Sequence, residues 1–129
     1  TVIRGDVAPV TIGEGTNVQD GTIIHTSEDY PTIIGKHVTI GHSAVVHACT
    51  VEDDALIGMH STILDGATVE TGALVAAGTV VPPGKKVPKN TLVMGNPMKV
   101  VRDLTKSERE SNRKNAGHYI ELMNTYKNS

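Results

Sequence analysis

The sequence predicts an all-β solenoid, a parallel β-helix made of hexapeptide repeats. Aliphatic residues recur at every sixth position, and the series expected to face inward is Ile12, Val18, Ile24, Ile34, Ile40, Val46, Val51, Ile57, Ile63, Val69, Val75, Val81, Val87 and Val93. Small residues such as Gly13, Gly35, Gly41 and Gly58 tend to follow them. The 129-residue chain has no Phe or Trp and only three Tyr. A narrow interior of stacked Val, Ile and Ala needs no large aromatic residues, because each coil packs only on its neighbours.

Three hexapeptides form one triangular coil of 18 residues, and the sequence interrupts this period twice. Ten residues instead of six separate Ile24 from Ile34, and the extra four lie in the polar, proline-containing segment 26–31, which we interpret as a loop. Val51 follows Val46 after five residues, which predicts a tightened corner between them. After Val51 the period continues without a break to the end of the predicted β-helix.

The chain is predicted to be a single domain, with coils over residues 1–98 and an α-helix over about residues 105–127 packed on the flank of the β-helix. Thr105 and Glu108 have the spacing of a capping box at a helix N-terminus. The apolar residues that follow have helical spacing, and they are Ala116, Tyr119, Ile120, Met123 and Tyr126. The first residues already have a strand-and-turn pattern, so we expect that N-terminal coils are missing from the chain as given.

Composition argues against several classes of function. The net charge is −2, and no Lys/Arg cluster is interleaved with aromatic residues, which disfavours nucleic-acid binding. No apolar run approaches the roughly 20 residues that span a membrane, so we expect no membrane association. Cys49 is the only cysteine, so an intrachain disulfide is impossible. We interpret Cys49 as a buried, inert thiol rather than a soft metal ligand, and we expect a cytoplasmic protein.

His25 and His47 are predicted to lie side by side. Each directly follows an inward aliphatic residue, and they are 22 residues apart; removing the four-residue insertion leaves 18, which is one full coil. They should therefore occupy neighbouring strands about 4.8 Å apart, where two imidazoles can share one ion. Three other histidines do not share this register, namely His37, His60 and His118. We expect surface or structural roles for them.

His42 precedes His47 by five residues, about one side of the triangle, which in extended chain is roughly 16 Å. Backbones that far apart can hardly place both imidazoles on one ion with Zn–N distances of about 2.1 Å. We therefore expect His42 to join His25 and His47 from a neighbouring subunit. A triangular prism that packs side by side into a closed ring favours a homotrimer. Three imidazoles with an open fourth position are typical of catalytic zinc, with cobalt or iron as alternatives.

Four polar residues are candidates to support such a site. Arg4 and Asp6 alternate on one strand and so share a face, where they suit an ion pair across a subunit edge. Gln19 and Asp20 follow Val18, one hexapeptide before His25. Either could orient a metal ligand or a metal-bound water. Ordinary hydrogen bonding at a corner is the alternative explanation for Gln19 and Asp20.

Several segments together resemble the gamma-class carbonic anhydrases and their close hexapeptide relatives. The segments are Arg4-Gly5-Asp6, Asn17-Val18-Gln19-Asp20-Gly21, His25, Gly41-His42, Val46-His47 and Ile57-Gly58-Met59. The resemblance covers nearly the whole chain, and the histidine spacing is not a general feature of hexapeptide proteins. It implies a left-handed β-helix and a homotrimer with three intersubunit metal sites, each with two histidines from one chain and His42 from the next. It also implies that Arg4 and Asp6 take part in the subunit contact, that Gln19 hydrogen-bonds the metal-bound water, and that Asp20 lies in the nearby polar network.

The sequence departs from the archetypal enzyme of that family at three places. Val7 stands where the archetype has a catalytic Glu. The loop after His25 is short, although Glu28 matches the offset of the proton-shuttle Glu of the archetype. Tyr119 stands where a helix Asn contacts the site. These changes resemble the shorter branch of the family, and they affect proton transfer rather than the metal ligands.

The function predicted from these residues is metal-dependent, reversible hydration of CO2 to bicarbonate by a metal-bound hydroxide at a trimer interface, with Glu28 or Tyr119 assisting the departure of the proton. A hexapeptide acyltransferase is one alternative, because such enzymes share the fold and a Gly-x-Pro segment like Gly95-Asn96-Pro97. They generally use one histidine and a coenzyme A donor, so three histidines at ligand spacing argue against this. A non-catalytic or weakly active metal-binding trimer or scaffold is the other alternative, which Val7 keeps open.

Overall fold

A computed structural model describes residues 2–4, 9–27 and 30–114, apart from the side chains of Arg4 and of residues 111–114. The described chain winds through about five coils, each with one strand on each of three sides. The strands are, in chain order, β1 (Val2–Arg4), β2 (Val10–Ile12), β3 (Asn17–Val18), β4 (Ile23–His25), β5 (Thr32–Ile34), β6 (Thr39–Ile40), β7 (Val45–His47), β8 (Thr50–Val51), β9 (Leu56–Ile57), β10 (Thr62–Ile63), β11 (Thr68–Val69), β12 (Leu74–Val75), β13 (Val80–Val81), β14 (Lys86–Val87), β15 (Thr91–Met94) and β16 (Lys99–Asp103).

Strands on the same side of successive coils pair in parallel and form three sheets. Sheet A contains β1, β4, β7, β10 and β13; sheet B contains β2, β5, β8, β11 and β14; sheet C contains β3, β6, β9, β12 and β15, with β16 at its end. The register aligns inward residues, so that Val46 lies beside Ile24 on one side and Ile63 on the other. The predicted parallel β-helix of hexapeptide repeats is confirmed.

The inward residues of the hexapeptide period form the core. From Ile24 to Val93 each member of the predicted series is at most 1% exposed. Ile12, by contrast, is 37% exposed, and Val18 is only partly buried. The reason is their position: among the described residues, β2 and β3 pair with a strand on one side only. Stacking between neighbouring coils therefore accounts for the burial of this core.

The outer face of sheet C is covered over its later strands, unlike the outer faces of the other two sheets. Leu56, Leu74 and Leu92 point outward from this sheet and are at most 2% exposed. They form a second apolar cluster with Ala76 and Leu104. Leu104 directly precedes the helix α1 (Lys106–Lys114), so the chain reaches the flank of the β-helix where the helix begins.

The start of α1 has the capping box that the sequence predicts. The Thr105 hydroxyl accepts a hydrogen bond from the Glu108 amide at 3.1 Å, and the Glu108 carboxylate accepts one from the Thr105 amide at 2.9 Å. The described helix ends at Lys114 because residues 115–129, which include Tyr119 and the rest of the predicted helix, lie outside the described residues. Within the described ranges, no helix is long and apolar enough to cross a membrane.

One strand was not predicted from the sequence. β16 pairs with β15 in the antiparallel direction, with an irregularity between Leu92 and Val93. Its residues follow the end of the hexapeptide period, and Val100 and Val101 are adjacent rather than alternating with polar residues. Local sequence therefore carries no strand signal there, and the pairing depends on the turn that folds this segment back onto the last coil.

Candidate metal centre

His25 and His47 lie side by side at the end of two neighbouring strands of sheet A. β4 and β7 pair so that His25 is the direct partner of His47. Both side chains are half-buried, and their ring centroids are 4.8 Å apart with a tilt of 38°. The hexapeptide count places them correctly, because the four extra residues leave the register of the strands intact. Their role as metal ligands stays a prediction.

Asp65 is a third polar side chain at this corner, and the sequence analysis missed it. Its Oδ1 contacts Nδ1 of His47. Ile63 in β10 lies beside Val46 in β7. Asp65 follows β10, so it lies at the corner where the chain leaves sheet A after His47. Asp65 comes 18 residues after His47, and a count of one coil from His47 would have found it.

His42 lies at a different corner from the other two histidines. It follows β6 of sheet C and precedes β7 of sheet A, whereas His25 and His47 lie where the chain leaves sheet A. The His42 side chain is exposed, and its carbonyl accepts a hydrogen bond from the His60 amide at 2.9 Å. Within the described part of the chain, no three His, Cys, Asp or Glu side chains are grouped to hold a metal ion.

The glycine before His42 is required by the close approach of the next coil. A Cβ at Gly41 would lie 2.6 Å from the amide nitrogen of Met59 and 3.0 Å from the carbonyl carbon of Gly58. No side chain fits between these two backbones without moving the coil. Gly41 thus allows the corner that carries His42 to stack tightly on the corner of the following coil.

Gln19 and Asp20 share the corner of His42, one coil earlier. The Gln19 amide donates to the Ile40 carbonyl at 3.0 Å, and the Asp20 carbonyl accepts from the Ser43 amide at 3.1 Å. The Gln19 side chain is half-buried, and the Asp20 side chain is exposed. Within one chain, both residues therefore lie with His42 on the side of sheet A opposite His25 and His47.

The remaining predicted site residues are described partly or not at all. In β1, the backbone of Arg4 is the direct partner of His25, so Arg4 begins the row that His25 and His47 continue. The Arg4 side chain is not among the described ones, and Asp6, Glu28 and Tyr119 lie outside the described residues, as does Val7.

Tyr30, in the loop after His25, is a further residue that the sequence analysis did not single out. Its ring lies against Gly66, where an added Cβ would be 3.4 Å from the ring carbon Cζ. The Tyr30 amide donates to the Ser27 hydroxyl at 3.3 Å. Tyr30 thereby reaches the corner that carries Asp65. No periodicity predicts this contact, because it depends on how the inserted residues fold across the coils.

Cys49 is buried, with 2% of its surface exposed. Burial raises the pKa of its thiol to about 12, well above the usual value of 9.0. The thiolate that binds metals is therefore disfavoured at neutral pH. This agrees with the interpretation of Cys49 as an inert part of the core.

The outer face of sheet A is largely apolar and is exposed or partly exposed along its length. The outward residues of sheet A, in register from coil to coil, are Val2, Ile23, Val45, Thr62 and Val80. The equivalent row on sheet B is Thr11, Ile33, Thr50, Thr68 and Lys86, which is mostly polar. Because the corner of His42 lies on one side of sheet A and that of His25 and His47 on the other, contact between copies along this face can bring the two corners together.

The chemistry of the paired histidines fits a divalent transition metal. Two imidazoles on one tetrahedral Zn²⁺, at Zn–N distances of about 2.1 Å, have ring centroids roughly 5 Å apart. The centroids of His25 and His47 are 4.8 Å apart. Asp65 contacts Nδ1 of His47, so Nε2 is the ring nitrogen that remains available for a bond to a metal. As metal ligands, these two histidines would supply two donors, so a site built on them would need at least one more donor from elsewhere.

Comparison with known proteins points in two directions. A family model described as "Hexapeptide repeat of succinyl-transferase" matches residues 49–83. The chain is 55% identical to a protein of Methanocaldococcus jannaschii named "Probable carbonic anhydrase", over 96% of this chain and 78% of that protein. It is 53% identical to a protein of Geobacillus kaustophilus named "Carbonic anhydrase", over 98% of this chain and 70% of that protein.

A third relative is named "Gamma carbonic anhydrase 2, mitochondrial", from Arabidopsis thaliana. The two sequences are 46% identical over 94% of this chain. The matched region covers only 46% of the length of the Arabidopsis protein. Among solved structures, one titled as a putative acetyltransferase of Bacillus cereus is 47% identical, with a TM-score of 0.87, over 98% of this chain and 74% of that one. A hexapeptide transferase family protein of Anaplasma phagocytophilum is 45% identical, with a TM-score of 0.84, over 97% and 74% of the two chains.

Proposed function

Because this chain belongs to the gamma-class carbonic anhydrase family, we propose that it catalyses the reversible hydration of CO2 to bicarbonate at metal sites shared between copies of the chain. The observation that carries the proposal is the placement of His25 beside His47, with His42 at the opposite corner of the same sheet. One copy supplies His25 and His47, and its neighbour supplies His42.

The cofactor in this proposal is a divalent metal, with zinc expected and cobalt or iron as alternatives. When bound by three neutral imidazoles, it supplies Lewis acidity that lowers the pKa of a water at its open position to about 7. His25, His47 and His42 bind it, and Asp65 accepts a hydrogen bond from the His47 ring. Gln19, which shares the corner of His42, orients the nucleophilic water, and Asp20 extends the polar network there.

The assembly in this proposal is a homotrimer that closes through the outer face of sheet A. Exposed apolar residues on this face, such as Val2 at 50% and Ile23 at 43% exposure, lose water on association. A heterologous contact that repeats around a three-fold axis brings the His42 corner of one copy to the His47 corner of the next. Arg4 and Asp6 take part in the same contact, since the backbone of Arg4 lies beside His25.

Proton transfer is the step on which this chain departs from the archetype of its family. Val7 replaces a catalytic carboxylate there, so the proton must leave by another group. Glu28 and Tyr119 are the proposed carriers. The cytoplasmic location also stays a prediction, since the Arabidopsis relatives are named as mitochondrial.

Two alternatives remain distinct from this proposal. A hexapeptide acyltransferase is favoured by the similarity to the transferase-like proteins of Anaplasma phagocytophilum and Bacillus cereus, and tight binding of acetyl-CoA would support it. A weakly active or non-catalytic metal-binding trimer has the same histidines, so metal analysis does not separate it from an enzyme. A stopped-flow assay of CO2 hydration on the zinc, cobalt and iron forms does separate them.

The test of the proposed function is the variant His47→Ala, assayed for metal content and CO2 hydration. Loss of one of three imidazoles should abolish both, because the remaining ligands no longer close the site. His37→Ala is the matched control, since His37 is exposed and lies on a corner between sheets B and C; it should keep both properties. Full CO2 hydration by His47→Ala would contradict the proposal.

A further inference from the structure

Asp65 makes a contact with His47 that the sequence resemblance does not assign. The carboxylate Oδ1 lies against Nδ1 of the His47 ring. The side chains are 41% and 28% exposed respectively, so the pair lies at the surface of the corner. Asp65 comes from the next coil, so the contact joins two coils at the place where His47 leaves sheet A.

We propose that Asp65 is a positioning residue for His47, which fixes the ring orientation and the tautomer in which Nδ1 carries the proton and Nε2 is free to bind metal. The consequence for metal binding rests on the proposed function, whereas the orientation of the ring does not. A neutral imidazole has one N–H and one lone pair, so a carboxylate that accepts from Nδ1 leaves the lone pair on Nε2.

The corner that carries Asp65 is itself well fixed. The Asp65 carbonyl accepts a hydrogen bond from the Gly84 amide at 3.0 Å, and the Gly66 amide donates to the Ala48 carbonyl at 2.8 Å. The ring of Tyr30 lies against Gly66, so this side chain covers part of the same corner. The carboxylate is therefore presented to His47 by backbone on both sides rather than by a free loop.

A carboxylate behind a ligating imidazole contributes to metal affinity in two ways. It reduces the rotational freedom that the ring loses on binding, and it adds negative charge beside the cation. Loss of such a partner typically weakens metal binding by about 10- to 100-fold. Asn at position 65 keeps an oxygen that accepts from Nδ1 but loses the charge, whereas Ala removes both.

The test uses the full chain with two substitutions, Asp65→Asn and Asp65→Ala, and one matched control. Asp53→Ala is the control, because Asp53 is also a corner aspartate with a hydrogen bond between coils, to the Lys36 amide at 2.8 Å. The dissociation constant for Zn²⁺ is measured by chelator competition. We expect it to rise about 10- to 100-fold in Asp65→Ala, less in Asp65→Asn, and not in Asp53→Ala.

The second readout is the ¹⁵N chemical shifts of the His47 imidazole in metal-free protein, assigned by their loss in His47→Gln. The Nδ1-protonated tautomer is expected in the wild type and in Asp65→Asn, and its population should fall in Asp65→Ala. A wild-type ring protonated at Nε2, or an unchanged zinc affinity in folded Asp65→Ala, overturns the role of Asp65. A wild-type chain that binds no zinc contradicts the proposed function instead. The ¹⁵N shifts of the wild-type His47 ring still decide the role of Asp65 in that case. They also decide it if Asp65→Ala fails to fold.

Discussion

Two side chains, His25 and His47, define the candidate metal centre because their strands are hydrogen-bonded neighbours. Their ring centroids lie 4.8 Å apart, which is the spacing of neighbouring strands. Strand pairing in the solenoid fixes the spacing of the two backbones, and this sets the distance between the side chains. The phase of the repeat therefore brings the two rings together, whereas the proposed role of Asp65 concerns the orientation of the His47 ring.

The buried thiol of Cys49 gives a prediction that is independent of metal binding. Its pKa is raised to about 12 by burial, so the protonated, unreactive thiol dominates at pH 8. We expect no reaction with Ellman's reagent in the folded protein and one equivalent per chain after unfolding in guanidinium chloride. Rapid labelling of the native protein at pH 8 would show that Cys49 is accessible and would weaken its exclusion from the site.

The site residues differ in how far the sequence could predict them. His25 and His47 follow from counting, because the insertion between them adds a loop without changing the register. Asp65 follows from the same count once it is extended past the histidines. Tyr30 does not, because its contact with Gly66 joins an irregular loop to a distant corner. Periodicity predicts which residues stack, but it does not predict how inserted residues fold.

The secondary-structure elements also differ in how far the sequence could predict them. The strands of the five coils follow the hexapeptide period, since each inward aliphatic residue of the series from Ile24 to Val93 is buried by the coils next to it. The helix start follows from the capping box of Thr105 and Glu108. β16 has neither signal, because it pairs against the direction of the solenoid and lies beyond the last repeat. Long-range pairing outside a repeat is where local pattern loses its predictive value.

The helix start carries a pH-dependent prediction. Arg102 donates two hydrogen bonds to the Glu108 carboxylate, at 2.6 and 2.7 Å. These bonds lower the pKa of Glu108 from 4.5 to about 2, with a further contribution from the Thr105 amide. Because the folded-state pKa is depressed, the ionised Glu108 stabilises the fold above pH 4.5, and this contribution is lost as the pH falls from 4.5 towards 2.

The variant Glu108→Gln measures that contribution, since Gln keeps an acceptor for the Thr105 amide but cannot form the ion pair. We expect its free energy of unfolding at pH 7 to be lower than that of the wild type by about 1 kcal/mol. The difference should shrink between pH 4.5 and pH 2, as followed by urea denaturation of both proteins in the same buffers. A difference that is as large at pH 2 as at pH 7 would argue against the ion pair.

At the scale of the whole molecule, the three sides of the prism have different surfaces. The later strands of sheet C are covered on their outer face by the cluster that includes Leu104, and the outer face of sheet B is mostly polar. The outer face of sheet A is largely apolar and exposed or partly exposed, with candidate ligands at the corners on both sides. This asymmetry is what makes the outer face of sheet A the proposed contact between copies.

Two isoleucines provide a matched test of that contact. Ile23 on sheet A and Ile33 on sheet B are each 43% exposed. Ile23→Asp should dissociate the proposed trimer, because burying an unpaired carboxylate at each contact costs several kcal/mol, roughly the scale of a buried ion without a partner. Ile33→Asp should leave the trimer intact. The mass in solution, measured by light scattering after size-exclusion chromatography, distinguishes the two, and equal behaviour of both variants would contradict the assignment of this face.

The central claim is that each site draws ligands from two copies, and mixing two inactive variants tests it most directly. His42→Ala and His47→Ala, unfolded together in equal amounts and refolded, should regain metal and CO2 hydration that neither has alone. In a closed ring assembled at random, about a quarter of the contacts pair an intact His47 corner with an intact His42. Recovery of about a quarter of the wild-type metal content is the predicted result, whereas no recovery in mixed, assembled protein would contradict a shared site.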